Sequence, residues 1–199
     1  MRLIEAEKKL LRLKQPILQT SDVAAYFKIN SAHASKILGR LVQAGKFVSL
    51  MRGKWITSSQ IDPLILPEYL TSPFPAYVSL QTALYYHGMI SQIPNTIYAI
   101  SLARTRQYVT SLATISIHHV HADFFFGFET QGHIKIATAE KALIDVLYLT
   151  AAKSNLFKAL PELEFPSDFD YKKAEKIIKK IPSNILRKLA SNRLDALTK

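Results

Sequence analysis

Ser21 to Lys54, SDVAAYFKINSAHASKILGRLVQAGKFVSLMRGK, is the stretch whose reading decides the fold of the N-terminal part of this 199-residue chain. Inside it Ala34, Ile37, Leu38 and Leu41 recur at i, i+3, i+4 and i+7. That spacing predicts a helix from Ser31 to Gln43 with one apolar stripe, and it leaves His33, Lys36 and Arg40 together on another face. Asn30 or Ser31 suits the start of this helix and Gly45 its end. Upstream, Ser21 is placed to cap a short helix over DVAAYFK. Downstream, Phe47, Ser49 and Met51 alternate with Val48 and Leu50 up to Arg52-Gly53-Lys54, a turn signal. The order predicts a winged helix-turn-helix, a fold whose second helix lies in the DNA major groove while the wing reaches backbone or minor groove. The residues expected to face DNA are Ser31, His33, Ser35, Lys36 and Arg40 on the helix and Arg52 and Lys54 on the wing. Lys and Arg can read a guanine edge or hold phosphate, and serine is a neutral donor. The plainer alternative for each is a solvated basic face. Gly39 inside the helix costs about 1 kcal/mol relative to alanine.

Working outward, Leu3, Ala6, Leu10 and Leu13 mark a preceding helix that Pro16 stops. Residues 1–59 form the expected DNA-binding domain. Residues 60–75 hold Pro63, Pro67, Pro73 and Pro75 and read as an extended, partly docked connector. Residues 76–199 begin with a helix from Ser79 to Gly88, followed by β-branched runs NTIYAIS and ATISIHHVH and by a hairpin, FFFGFET and GHIKIAT. Thr138 precedes a helix with Ala142, Leu143, Val146 and Leu147 inward; Glu140, Lys141 and Asp145 read as ordinary helix charges, with an exposed Glu-to-Lys pair. Two amphipathic helices close the chain. Strands and segregated helices together predict an α+β class with a small mixed or antiparallel sheet.

Apolar residues make up 48% of the chain and charged residues 21%, which suits a folded protein with real cores. No apolar run approaches the roughly 18 residues of a membrane span, and the charged start MRLIEAEKKLLRLK is unlike a signal peptide, so the expected location is the cytoplasm. With no cysteine there is neither a disulfide nor a thiolate metal site. The net charge of +11 is unevenly placed. Residues 1–59 carry 11 Lys or Arg against 3 Asp or Glu, residues 60–152 carry 4 against 6, and residues 153–199 carry 11 against 6. Basic ends favour a polyanionic partner, because each cation that neutralises a phosphate releases condensed counterions.

His118, His119 and His121 with Asp123 raise the alternative of a metal-dependent nuclease or phosphodiesterase. On a strand His119 and His121 share one face and His118 the other, so a polar strand surface is the simpler expectation. Arg104 and Arg106 read as exposed loop charge. No nucleophile elbow, P-loop or dinucleotide fingerprint is present, and no catalysis, metal or cofactor is expected. A further alternative is an RNA-binding or protein-interaction module using the basic residues 172–188.

The runs YVSLQTALYYHGMISQIPNTIYAIS and FGFETQGHIKIATAEKALIDVL, above all His87-Gly88, Ile97-Tyr98 and Thr138 to Asp145, resemble the C-terminal domain of the AbiEi family of bacterial antitoxins. That family carries a winged helix-turn-helix before this domain. The resemblance covers about residues 20 to 150. It implies an antitoxin of a type IV toxin-antitoxin, or abortive-infection, system that represses its own operon by binding promoter repeats. Its functional partner would be a nucleotidyltransferase-like toxin, countered by the second domain without the need for a stable complex. The positions carried over are His33, Lys36, Arg40, Arg52 and Lys54.

Overall fold

The computed structural model is α+β and describes residues 2–57, 61–151 and 162–197. The expected boundary at residues 59 and 60 and the start of the basic tail at residue 153 lie outside the described residues. Two compact units result, one of Met1–Pro63 with Val109–Ala113, the other of Leu64–Tyr108 with Thr114–Lys199.

The first unit runs α1 (Leu3–Leu11), β1 (Ile17–Gln19), α2 (Thr20–Phe27), α3 (Ser31–Gln43), β2 (Val48–Met51) and β3 (Lys54–Ile56). Its antiparallel sheet has the order β1-β3-β2. Helix α2 begins at Thr20, two residues earlier than a cap at Ser21 predicts, and no side chain caps it. Instead the Thr20 hydroxyl accepts from Trp55 Nε1 at 2.8 Å, which fastens the start of α2 to β3. Lys28 ends α2 in a left-handed conformation, and Asn30 then caps α3 by accepting from the His33 amide at 2.8 Å. At the far end Gly45, at φ 68°, lets the amides of Gly45 and Lys46 close on the carbonyls of Val42 and Leu41, each at 2.9 Å. Ala34, Ile37, Leu38 and Leu41 are buried against Ala6 and Leu10 of α1, Leu18 of β1, and Val23 and Ala24 of α2. Burial of one such leucine stabilises by about 1.5 to 3 kcal/mol, so the apolar stripe fixes which face of α3 points outward.

A 3-10 turn (Pro63–Ile65) that begins on the last residue of the first unit's main segment leads into α4 (Leu66–Thr71) of the second unit. Residues expected to be extended are thus helical, because Pro67 stands in the first helical turn, where proline is tolerated. Glu68 of α4 accepts from the Ala76 amide at 3.2 Å and pairs with Lys135 at 2.7 Å. There follow β4 (Ala76–Val78), α5 (Leu80–Tyr86), β5 (Thr96–Ser101), β6 (Arg106–Val109), β7 (Thr114–His119), β8 (Phe128–Gln131), β9 (Ile134–Ala137), α6 (Ala139–Ala151), α7 (Tyr171–Lys179) and α8 (Asn184–Leu197). The sheet order is β6-β7-β5-β4-β9-β8, with β5 antiparallel to β4 and parallel to β7, and β9 parallel to β4 and antiparallel to β8. Helix α6 packs against α5, α7, α8 and β9 and forms the centre of this unit's core.

Candidate nucleic-acid interface

With one face of α3 anchored in the core, 100° per residue decides what the other presents. Lys36, Gly39, Arg40 and Gln43 fall at i, i+3, i+4 and i+7, opposite the buried stripe, and Lys36, Arg40 and Gln43 are exposed. Among the described residues neither Lys36 nor Arg40 forms an ion pair, whereas Glu5 pairs with Lys9 at 2.9 Å and Glu7 with Lys46 at 3.9 Å. Two cations one helical turn apart are therefore left uncompensated on an outward face. Ser31, Ser35 and His33 are exposed as well. His33 lies toward one flank, where it lines a cavity of about 470 Å³ with Lys9, Tyr26, Phe27, Lys28, Ile29 and Ile37. The structure brings Lys36 and Arg40 together on one stripe and places His33 beside a different pair of lysines.

The hairpin between β2 and β3 turns at Arg52-Gly53, with Gly53 at φ 78°. Arg52 is exposed at the tip. Lys54, already in β3, is half-buried; burial pulls its ammonium below the usual lysine range and Asp22 acts against that. The two wing residues are thus unequal, Arg52 being the open cation.

Comparisons with protein-family models and with curated proteins find no match. The outward stripe and the hairpin tip, rather than kinship, are what a functional reading of the first unit stands on. Sequence reasoning missed Gln43, whose signal was its place seven residues after Lys36.

The second unit rearranges the histidine cluster. His118 on β7 is buried, its Nε2 3.0 Å from Ser116 Oγ and its ring 6.1 Å from that of Tyr98. Burial lowers its pKa to about 4, so the ring is neutral at physiological pH. His119 is exposed, with Nδ1 3.2 Å from the Ala103 carbonyl, and His121 Nδ1 lies 3.3 Å from Asp123 Oδ2. No group of three or more His, Asp or Glu side chains that could hold a metal occurs among the described residues.

The expectation of ordinary, exposed charges on α6 is corrected by the structure. Glu140, Lys141 and Asp145 are buried. Lys141 Nζ pairs with Asp145 Oδ1 and donates to the Phe124 carbonyl at 3.1 Å, with the Phe124 ring centroid 3.6 Å away. Asp145 Oδ2 accepts from Tyr77 Oη at 3.0 Å and from Ser79 Oγ at 2.7 Å. Ser79 therefore spends its hydroxyl on Asp145 and makes no side-chain cap bond to α5. Burial lowers the pKa of Lys141 and raises that of Asp145, and the attraction between them opposes both shifts. Burial also pushes Glu140 up, but hydrogen bonds from Lys173 at 2.8 Å and Thr138 at 2.7 Å outweigh it and hold the carboxyl below the usual range. With both partners shut off from solvent, the Lys141–Asp145 pair ties α6 to β4, α5 and the Phe124 turn. It cannot meet a substrate.

Proposed function

We propose that this chain is a double-stranded DNA-binding repressor acting as a winged helix-turn-helix, with α3 as recognition helix and the β2–β3 hairpin as wing. The observation that carries the reading is the uncompensated pair Lys36 and Arg40 on the outward face of a helix whose opposite face is fully buried. Arg52 at the hairpin tip adds a third open cation beyond the recognition helix. An α-helix about 10 to 12 Å across fits a major groove about 12 Å wide, and Lys and Arg are the side chains suited to guanine edges and phosphate.

The second unit carries the antitoxin half of the reading. Its support is the AbiEi resemblance in residues 77–101 and 126–147, and it makes the protein a cytoplasmic repressor of its own operon that counters a nucleotidyltransferase-like toxin. Mobility shifts on DNA from upstream of its own gene, at two salt concentrations, test the first half. Specific binding that weakens steeply with salt supports it; indifference to both sequence and salt overturns it. Coexpression with the neighbouring gene product tests the second half, which predicts relief of growth arrest by the full chain and not by Leu143→Asp, a core-disrupting control.

A further inference from the structure

Gly39 is a residue of α3 for which the fold supplies no reason. It lies inside the helix, in ordinary helical geometry, while Gly45 performs the left-handed closing role. Beyond the helix's own backbone, a Cβ added at Gly39 would meet no atom of the described residues within 4 Å, so neither the core nor the hairpin described requires glycine there. Glycine nonetheless weakens a helix relative to alanine through its backbone entropy. A costly residue that the chain itself does not need points to something outside the chain.

Its neighbours say what. Gly39 stands between Lys36, Arg40 and Gln43, at i−3, i+1 and i+4, on the outward face of α3, where neither cation has an ion-pair partner among the described residues. Two cations suit a phosphate-walled groove and would repel or strand a second apolar helix. The width at which a helix fits the major groove already includes its side chains, so an added carbon matters only where the helix backbone itself lies against the groove; there it would hold the helix off by more than a hydrogen bond tolerates. We infer that Gly39 is the point of closest approach between α3 and double-stranded DNA, a gap that lets Lys36 and Arg40 reach the groove together. This rests on the DNA-binding reading above.

The test uses the full chain and a fluorescein-labelled duplex enriched from a random-sequence pool by the wild-type protein. Gly39→Ala and Gly39→Leu are compared with the wild type and with Arg40→Ala by anisotropy titration and by thermal unfolding. Expected are an unfolding midpoint of the first unit raised by roughly 4 °C for Gly39→Ala and binding weakened by about 5- to 150-fold, more for leucine than for alanine. Arg40→Ala weakens binding without the gain in midpoint. If Gly39→Ala binds like the wild type while Arg40→Ala does not, the DNA reading stands and the role of Gly39 falls. A lowered midpoint for Gly39→Ala also overturns it, since the fold would then need the glycine. Failure of the wild type to enrich any duplex overturns the DNA reading, and the role of Gly39 with it.

Discussion

Replacing His118 with glutamine isolates a single titration in the second unit. His118 is 3% exposed, and burial brings its pKa from 6.5 down to about 4. As pH falls, the unfolded chain takes up this proton first, so the stability contributed by neutral His118 is complete above about pH 6.5 and is lost between about 6.5 and 4. At 1.36 kcal/mol per pH unit, the window between about 6.5 and 4 is worth about 3 kcal/mol. Glutamine keeps a polar group within reach of Ser116 and does not titrate. Urea unfolding followed by far-ultraviolet circular dichroism, repeated at steps between pH 7 and 4, should show the wild type losing about 3 kcal/mol more than His118→Gln. Parallel losses in the two proteins would refute the assignment, because the pH sensitivity would then belong to other groups.

Lys141→Met strands the buried Asp145 carboxylate and should cost about 3 to 5 kcal/mol in urea unfolding, with partial recovery in Lys141→Met/Asp145→Leu; a loss below about 1 kcal/mol would mean the pair is not desolvated. Gly127→Ala should destabilise by about 1 to 3 kcal/mol, since its φ is 79° and the new methyl would sit 2.9 Å from Lys141 Cγ. An unchanged denaturation midpoint there would contradict the packing described around Lys141.

The outward and inward faces of α3 were legible because four apolar residues at helical spacing leave only one solution. Strands β1, β4 and β6 were not. Ile17–Gln19 and Ala76–Val78 span three residues each, the latter buried throughout and so without alternation, and Arg106–Val109 is an edge strand of mostly exposed residues. The burial of Lys141 and Asp145 was hidden for a different reason. At i and i+4 they look like any surface pair, and the groups that enclose them, Tyr77, Ser79 and Phe124, come from distant parts of the sequence. His118 facing opposite to His119 followed from strand alternation; that its side was the closed one did not.

The proposed DNA binding requires that the outward face of α3 and the hairpin tip meet phosphate. Binding of a labelled duplex measured over a series of salt concentrations, for the wild type and for Lys36→Ala/Arg40→Ala/Arg52→Ala, tests this most directly. The wild type should give a steep linear fall of log affinity with log salt, and the triple variant should flatten that slope by about 0.9 for each phosphate left without its cation, up to about 3 in all. A triple variant with wild-type affinity and wild-type slope would show that DNA, if bound at all, is held elsewhere.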